Sequence, residues 1–345
     1  MKNSRTTRIT KVKKTYAIFT LSLIAIQPCL AGDTSFCYKT RTGIVICKDS
    51  SQVRALEPFT GIASGGTWYA DAINNYRDTL DTQVRIYSMV VPTSAGLYCP
   101  DAAKAWIHEE EPVIDNIYHH LKDGVEAVDV YPVLRQHQGE NIYLKTDHHW
   151  SPLGAFYAAQ LFARKAHVKV PALCDFDEYV VHNFVGSMYH YSKDTAVKNS
   201  PEEFVYYIPK DSSYTTTYIG HNIGKNRKVV SLTEPFAGHF FIKHKDGSSS
   251  AYCTFMGGDM RTTHVKTAVQ NGRRLMIVKD SYGNALPCYL FGSFEEIFVV
   301  DFRYFTKNIL QYAKDKQITD VLFVNNLQHA YAKSTARGLV SMLHK

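Results

Sequence analysis

Five short apolar runs separated by segments of helical or mixed character constrain this chain most: 83–91, 125–130, 274–278, 296–301 and 320–326. Short and largely apolar, they read as strands buried within the fold. Between them, Trp68–Tyr76, Glu111–Leu121, Leu153–Lys165 and Asn308–Ala313 carry helical spacing. Ser151-Pro152 is a helix start, a hydroxyl cap followed by proline at the first helical position. Strand, helix and strand in alternation is the unit of a mainly parallel sheet covered by helices. The expected class is therefore α/β. From Asp177 to about Tyr252 the pattern changes to short alternating runs rich in Tyr, Thr, Ser and Gly, with turn signals such as Lys245-Asp246-Gly247. That stretch reads as a β-rich insertion at about 177–252, and 32–58 as a small N-terminal arm.

The first residues read as an export leader: a basic 1–14, an apolar 16–26, then Pro28-Cys29-Leu30-Ala31-Gly32 with small residues for cleavage near Ala31. An uncleaved anchor is the rival, although the apolar run falls short of the roughly 20 residues that span a bilayer. Six of the seven net positive charges lie in this leader, which leaves the remainder near neutral and argues against nucleic acid as a partner. Beyond Cys29 there are six cysteines, an even number that permits disulfides in an exported protein. Cys37 and Cys47 bracket the turn Thr40-Arg41-Thr42-Gly43, so a hairpin staple is the favoured pair. With no CxxC motif, no zinc site is expected, and no cofactor either.

The chemistry sits in Thr146-Asp147-His148-His149-Trp150 and Lys279-Asp280-Ser281-Tyr282-Gly283-Asn284. A serine hydroxyl becomes a nucleophile at neutral pH when an imidazole takes its proton and a carboxylate orients that imidazole. Asp147 and His149, two residues apart, share a face of an extended segment, with His148 pointing the other way. Ser281 follows a strand, at the sheet edge where parallel sheets bind ligands. The reading is Asp147 as orienting acid, His149 as base and Ser281 as nucleophile. Asn326, ending another strand, is the oxyanion donor candidate. Arg303, Tyr304, Tyr282 and Trp150 are candidates to line the substrate pocket. A metal site on Asp147, His148 and His149 is the competing reading, although no i, i+4 histidine pair frames it.

From about Pro58 onward the chain resembles the DHHW family of exported bacterial proteins, related to the alginate O-acetylation proteins of the SGNH hydrolase superfamily. The resemblance rests on 89–94 (MVVPTS), 141–155 (NIYLKTDHHWSPLGA), 255–259 (FMGGD), 277–285 (IVKDSYGNA) and 299–305 (VVDFRYF). It implies an SGNH-like, flavodoxin-like sheet over 59–345 in permuted order, the D-x-H pair preceding the nucleophile. It also implies the same triad, with Asn326 as the family's strand-end asparagine. Two departures stand out: Asp259-Met260 follows the glycines where relatives carry Asn-His, and Asn325 replaces a usual tyrosine, which would alter the rim. The expected activity is a serine O-acetyltransferase or acetylesterase acting on an extracytoplasmic polysaccharide or cell-envelope glycan. Its expected partners are an acetyl donor, a polysaccharide acceptor and a membrane-bound O-acyltransferase as acetyl supplier. The alternative is a non-catalytic carbohydrate-binding or scaffold subunit, supported by 23 tyrosines suited to sugar stacking.

Overall fold

The computed structural model describes residues 36–210, 213–226 and 228–345; the expected leader lies outside them. The arm is an antiparallel sheet of β1 (Phe36–Lys39), β2 (Val45–Lys48) and β3 (Val53–Leu56). Its first turn needs Gly43, whose φ of 95° lies in the left-handed region. The register then sets Cys37 opposite Cys47, and the two form the expected disulfide. Arg54, 8% exposed, donates to the Leu144 carbonyl and the Ser94 hydroxyl, while the Ala55 N–H donates to the Lys145 carbonyl. One face of the arm buries Val45 and Leu56 against Ala95, Ala103 and Ile107; the other buries Ile44, Ile46 and Ala55 against Met188 and Val197. The arm is thus not a separate body: the described residues fall in one compact unit.

The α/β part follows with α1 (Thr67–Thr79), β4 (Arg85–Val91), α2 (Ser94–Tyr98), α3 (Glu111–His119), β5 (Val125–Ala127), α4 (Tyr131–Gln136) and α5 (Pro152–Lys165). The Ser151 hydroxyl accepts the Gly154 N–H and so caps α5 as expected. A Cβ at Gly154 would meet the Ile142 carbonyl oxygen at 2.4 Å, so glycine is what lets this helix sit close to the preceding loop.

The insertion contributes β6 (Phe176–Phe184), α6 (Ser187–Ser192), α7 (Thr195–Lys198), β7 (Glu202–Pro209), β8 (Tyr214–Ile219), β9 (His221–Ile223), β10 (Val229–Leu232) and β11 (Phe236–Ala237). After it come β12 (Thr262–Thr267), β13 (Arg274–Lys279), β14 (Glu296–Asp301), α8 (Ile309–Asp315), β15 (Asp320–Asn326), α9 (Leu327–Tyr331) and α10 (Lys333–Leu343). The main sheet runs β11-β8-β12-β14-β13-β15-β4-β5. From β14 to β5 it is parallel; β12, β8 and β11 extend it antiparallel. The insertion therefore does more than decorate the domain, because β8 and β11 lengthen its sheet. The reason is visible in β8, whose Thr216 and Tyr218 are buried while Thr215 and Thr217 are exposed, a pattern suited to an antiparallel strand with one wet face. By contrast, Leu275–Val278, Val321–Val324 and Met89–Val91 are fully buried, as central parallel strands require.

Candidate active site

Strand β13 lies between β14 and β15, and its carboxyl end delivers Asp280 and Ser281 to the sheet edge. There the chain makes a 3-10 turn, Ser281–Asn284, capped by the Asp280 carboxylate, which accepts the Tyr282 N–H at 2.9 Å. A Cβ at Gly283 would sit 2.5 Å from the Lys279 Cβ, so glycine allows the turn to fold back on its strand. The Ser281 Oγ lies 2.8 Å from His149 Nε2, and His149 Nδ1 lies 2.6 Å from Asp147 Oδ1. Asp147 also accepts the His149 N–H at 3.0 Å and the Ser187 N–H at 2.8 Å. The three residues singled out in the sequence are thereby joined in one hydrogen-bonded line. His149 is buried and stacks on Tyr252 with centroids 3.8 Å apart.

The tract that carries the acid and imidazole is a bent loop rather than an extended segment, closed by a bridge between Tyr143 and Trp150. As a result His148 does not point away: its ring lies 3.7 Å from that of His149. Burial and the neighbouring His149 push His148 down to about 4, and its Nδ1 faces the Ser187 hydroxyl at 2.6 Å. Burial would raise Asp147, but the imidazoles of His149 and His148 and the Ser187 N–H outweigh it and hold the carboxyl below its ordinary range. The ionised Asp147 carboxylate thus faces the His149 ring at Nδ1. Donor atoms of Asp147, His148 and His149 lie within 4.8 Å of one another. A cation there would compete with the bonds His149 makes to Asp147 and Ser281.

The insertion and the arm build the frame of this loop. The Glu202 carboxylate accepts the N–H groups of Lys145 and Thr146 and the Thr146 hydroxyl at 2.6–2.9 Å. The Gly186 N–H donates to Thr146 Oγ1 at 3.1 Å, and a Cβ on Gly186 would fall 2.4 Å from the Asp147 Cβ. Gly186, Ser187 and Glu202 carry no local signal that could have found them, because each acts through a contact some 40–57 residues distant in sequence.

Two of the expected pocket residues are corrected. Trp150 and Tyr282 are 0% and 1% exposed, so they offer a substrate no surface. They are braces instead. The Trp150 indole N–H donates to the Tyr282 carbonyl, and the Tyr282 hydroxyl donates to the His148 carbonyl. Asn325 does not alter a rim either: it is buried and accepts the Tyr69 hydroxyl at 2.7 Å. Arg303 is partly exposed and pairs with Asp301 at 2.6 and 2.8 Å and with Asp259 at 2.9 Å. Tyr304, also partly exposed, stacks on His221 at 3.8 Å. Asp259, the departure after the glycines, accepts from Lys279, Asn284 and Arg303. Burial would raise its carboxyl, but Lys279 and Arg303 hold it below its ordinary range. The Asn326 side-chain oxygen Oδ1 caps α9 by accepting the His329 N–H at 3.0 Å. A further acid–imidazole contact, Asp280 to His329 Nδ1 at 2.7 Å, was not anticipated.

Comparison with known proteins follows the same geography. A DHHW family protein of Eubacterium siraeum is 35% identical, with a TM-score of 0.80 over 89% of this chain and 98% of that one. Bacillus cereus PatB1 is 22% identical, with a TM-score of 0.65 over 84% of this chain and 98% of that one, a likeness of fold. The Probable alginate O-acetylase AlgJ of Pseudomonas syringae pv. tomato is 29% identical over 150 residues, 41% of this chain. That match spans 37% of the relative's own length. The fold is SGNH-like α/β, as expected. Residues 54–300, well over half of the chain and including Asp147, His149 and Ser281, match the DHHW protein family, and the chain belongs to it.

Proposed function

We propose that this protein is a serine-dependent O-acetyltransferase or acetylesterase acting on an extracytoplasmic polysaccharide or cell-envelope glycan. The observation that carries the reading is the line Ser281 Oγ–His149 Nε2, His149 Nδ1–Asp147, at 2.8 and 2.6 Å. In the proposed reaction His149 Nε2 takes the Ser281 proton as Oγ bonds to the acetyl carbonyl carbon. Asp147 stabilises the imidazolium that forms. The oxyanion is received by the backbone N–H of Ser281 and the Nδ2 group of Asn326; the helix-capping bond accepted by Asn326 Oδ1 fixes which end of that amide donates. Such a donor contributes on the order of a hundredfold or more in rate. The intermediate collapses with return of the proton from His149 to the departing alkoxide, leaving acetyl-Ser281. A sugar hydroxyl or water then gives its proton to His149 and bonds to the acetyl carbon, and His149 returns that proton to Ser281 Oγ as the acyl–serine bond breaks.

The acetyl group and the glycan are supported by the partial likeness to an alginate O-acetylase. By the same reading the protein is exported, and a membrane-bound O-acyltransferase is the proposed supplier of acetyl. Among the described residues, no helix is long and apolar enough to cross a membrane. The test is acetyl release from an activated acetyl ester by the parent, Ser281→Ala and His149→Ala proteins. Activity in the parent, lost in both variants, is the expected result. A parent that neither turns over nor is labelled at Ser281 by an organophosphorus probe would overturn it in favour of a binding role.

A further inference from the structure

A second acid–imidazole pair stands beside the nucleophile. Asp280, the residue before Ser281, is fully buried. Its Oδ1 accepts the Tyr282 N–H at 2.9 Å, inside the turn that begins with Ser281. Its Oδ2 accepts both the Asn326 N–H at 2.9 Å and His329 Nδ1–H at 2.7 Å. The His329 N–H in turn donates to Asn326 Oδ1 at 3.0 Å. Asp280, His329 and Asn326 therefore close a ring of hydrogen bonds that ties the nucleophile turn to the end of β15. Asp280 and Asn326 are buried, whereas the His329 side chain is 36% exposed, so His329 is the member that senses solvent.

We infer that His329 is a positioning residue for acyl transfer: its ring, bonded to the Asp280 carboxylate that also accepts the Tyr282 and Asn326 N–H groups, holds the Ser281 turn in register with the end of β15. The inference rests on the reading of Ser281 as nucleophile and Asn326 as oxyanion donor. A misplacement of about 1 Å in such a constellation costs on the order of a hundredfold in rate. The charged groups around His329 come from several elements: Asp280 in the nucleophile turn, Asp301 and Arg303 at the end of β14, and Glu57 after β3. Burial would lower His329, but the bond and charge of Asp280 prevail and raise it above its ordinary value. The charged form is therefore the one the fold favours. Its charge is present at lower pH and is lost as pH rises through the raised value, which weakens the ring on the alkaline side.

The experiment is a pH profile of kcat and KM for ester turnover in the parent, His329→Ala, His329→Asn and Asp280→Asn, with melting temperature alongside. Asparagine places an uncharged donor near the position of Nδ1. We expect His329→Ala to lose about ten- to a hundredfold in kcat with KM within about twofold. His329→Asn should recover most of that loss, and both variants should lack the alkaline decline of the parent. In Asp280→Asn the decline should move to lower pH, because the partner that raises His329 is gone. Unchanged kcat in His329→Ala, or a parent-like alkaline decline in His329→Asn, would overturn the inference. Should the alanine variant not fold, His329→Asn alone decides through its pH profile. A parent without turnover or Ser281 labelling would instead sink the acyl-transfer reading itself.

Discussion

Gly186 shows how much a single residue can matter to the proposed catalytic acid, Asp147, in another segment of the chain. Its missing side chain leaves the space in which the Asp147 Cβ and carboxylate sit, 2.4–2.8 Å from where a Cβ would be. No shift of a flexible tip can relieve that clash, since the facing atoms are the root of a buried side chain held by His149 and the Ser187 N–H. Gly186→Ala should therefore displace Asp147, lowering kcat by about tenfold or more and costing about 1–3 kcal/mol of overpacking. Steady-state kinetics beside a thermal melt would check both, and a parent-like kcat would count against the frame described for the loop. The same scale decides between the two readings of Trp150. Its type suited either a platform or an anchor, and complete burial with an indole bond to the Tyr282 carbonyl made it an anchor.

Among the elements, the junction of β4, α2 and α3 holds a titrating group outside the site. Glu110, buried at the start of α3, accepts the Thr93 N–H and hydroxyl at 2.7 and 2.5 Å. Burial outweighs those bonds and pushes its carboxyl from 4.5 up to about 7. A raised folded value means that the folded state holds the proton more tightly than the unfolded chain. Stability from this group is thus fullest at low pH and is lost as pH rises from about 4.5 to about 7. The shift corresponds to roughly 3 kcal/mol at most. Glu110→Gln should flatten the fall in melting temperature between about pH 4.5 and pH 7; an unchanged slope would show that other groups set it. Most elements here were legible from period and caps: α5 begins at the Ser151-Pro152 signal, and β13, β14 and β15 fall on the apolar runs. Helices α6 and α7 were not, because six and four residues are too few to show a helical period.

Across the whole molecule, an ionic network ties β13, the strand that precedes Ser281, to its neighbours. Lys279 and Asp301 are fully buried at 2.7 Å, with Asp259 and Arg303 completing the cluster. Lys279→Met would leave Asp301 and Asp259 with Arg303 as the remaining cation of the cluster. Breaking one partner of a buried cluster costs about 3–5 kcal/mol, so urea unfolding should show a loss near the lower figure. A loss under about 1 kcal/mol, typical of exposed pairs, would mean that Arg303 alone suffices. The 144–149 loop is where the regions meet: the arm grips it at Leu144 and Lys145, the insertion grips it at Thr146 and Asp147, and β13 of the main sheet brings Ser281 to it.

By itself the sequence determined the residue types of the site and the elements that carry them. Strand period, a hydroxyl–proline cap and a D-x-H tract are local patterns, written in neighbouring residues and set by backbone sterics and short-range hydrogen bonding. Only the tertiary structure decided which groups hold that site in place. Ser187 reaches Asp147, Glu202 reaches Thr146, and His329 closes on Asp280 across 40 to 56 residues of chain. Such contacts arise from the packing of segments distant in sequence, and burial, not residue type, made Trp150, Tyr282 and Asn325 structural.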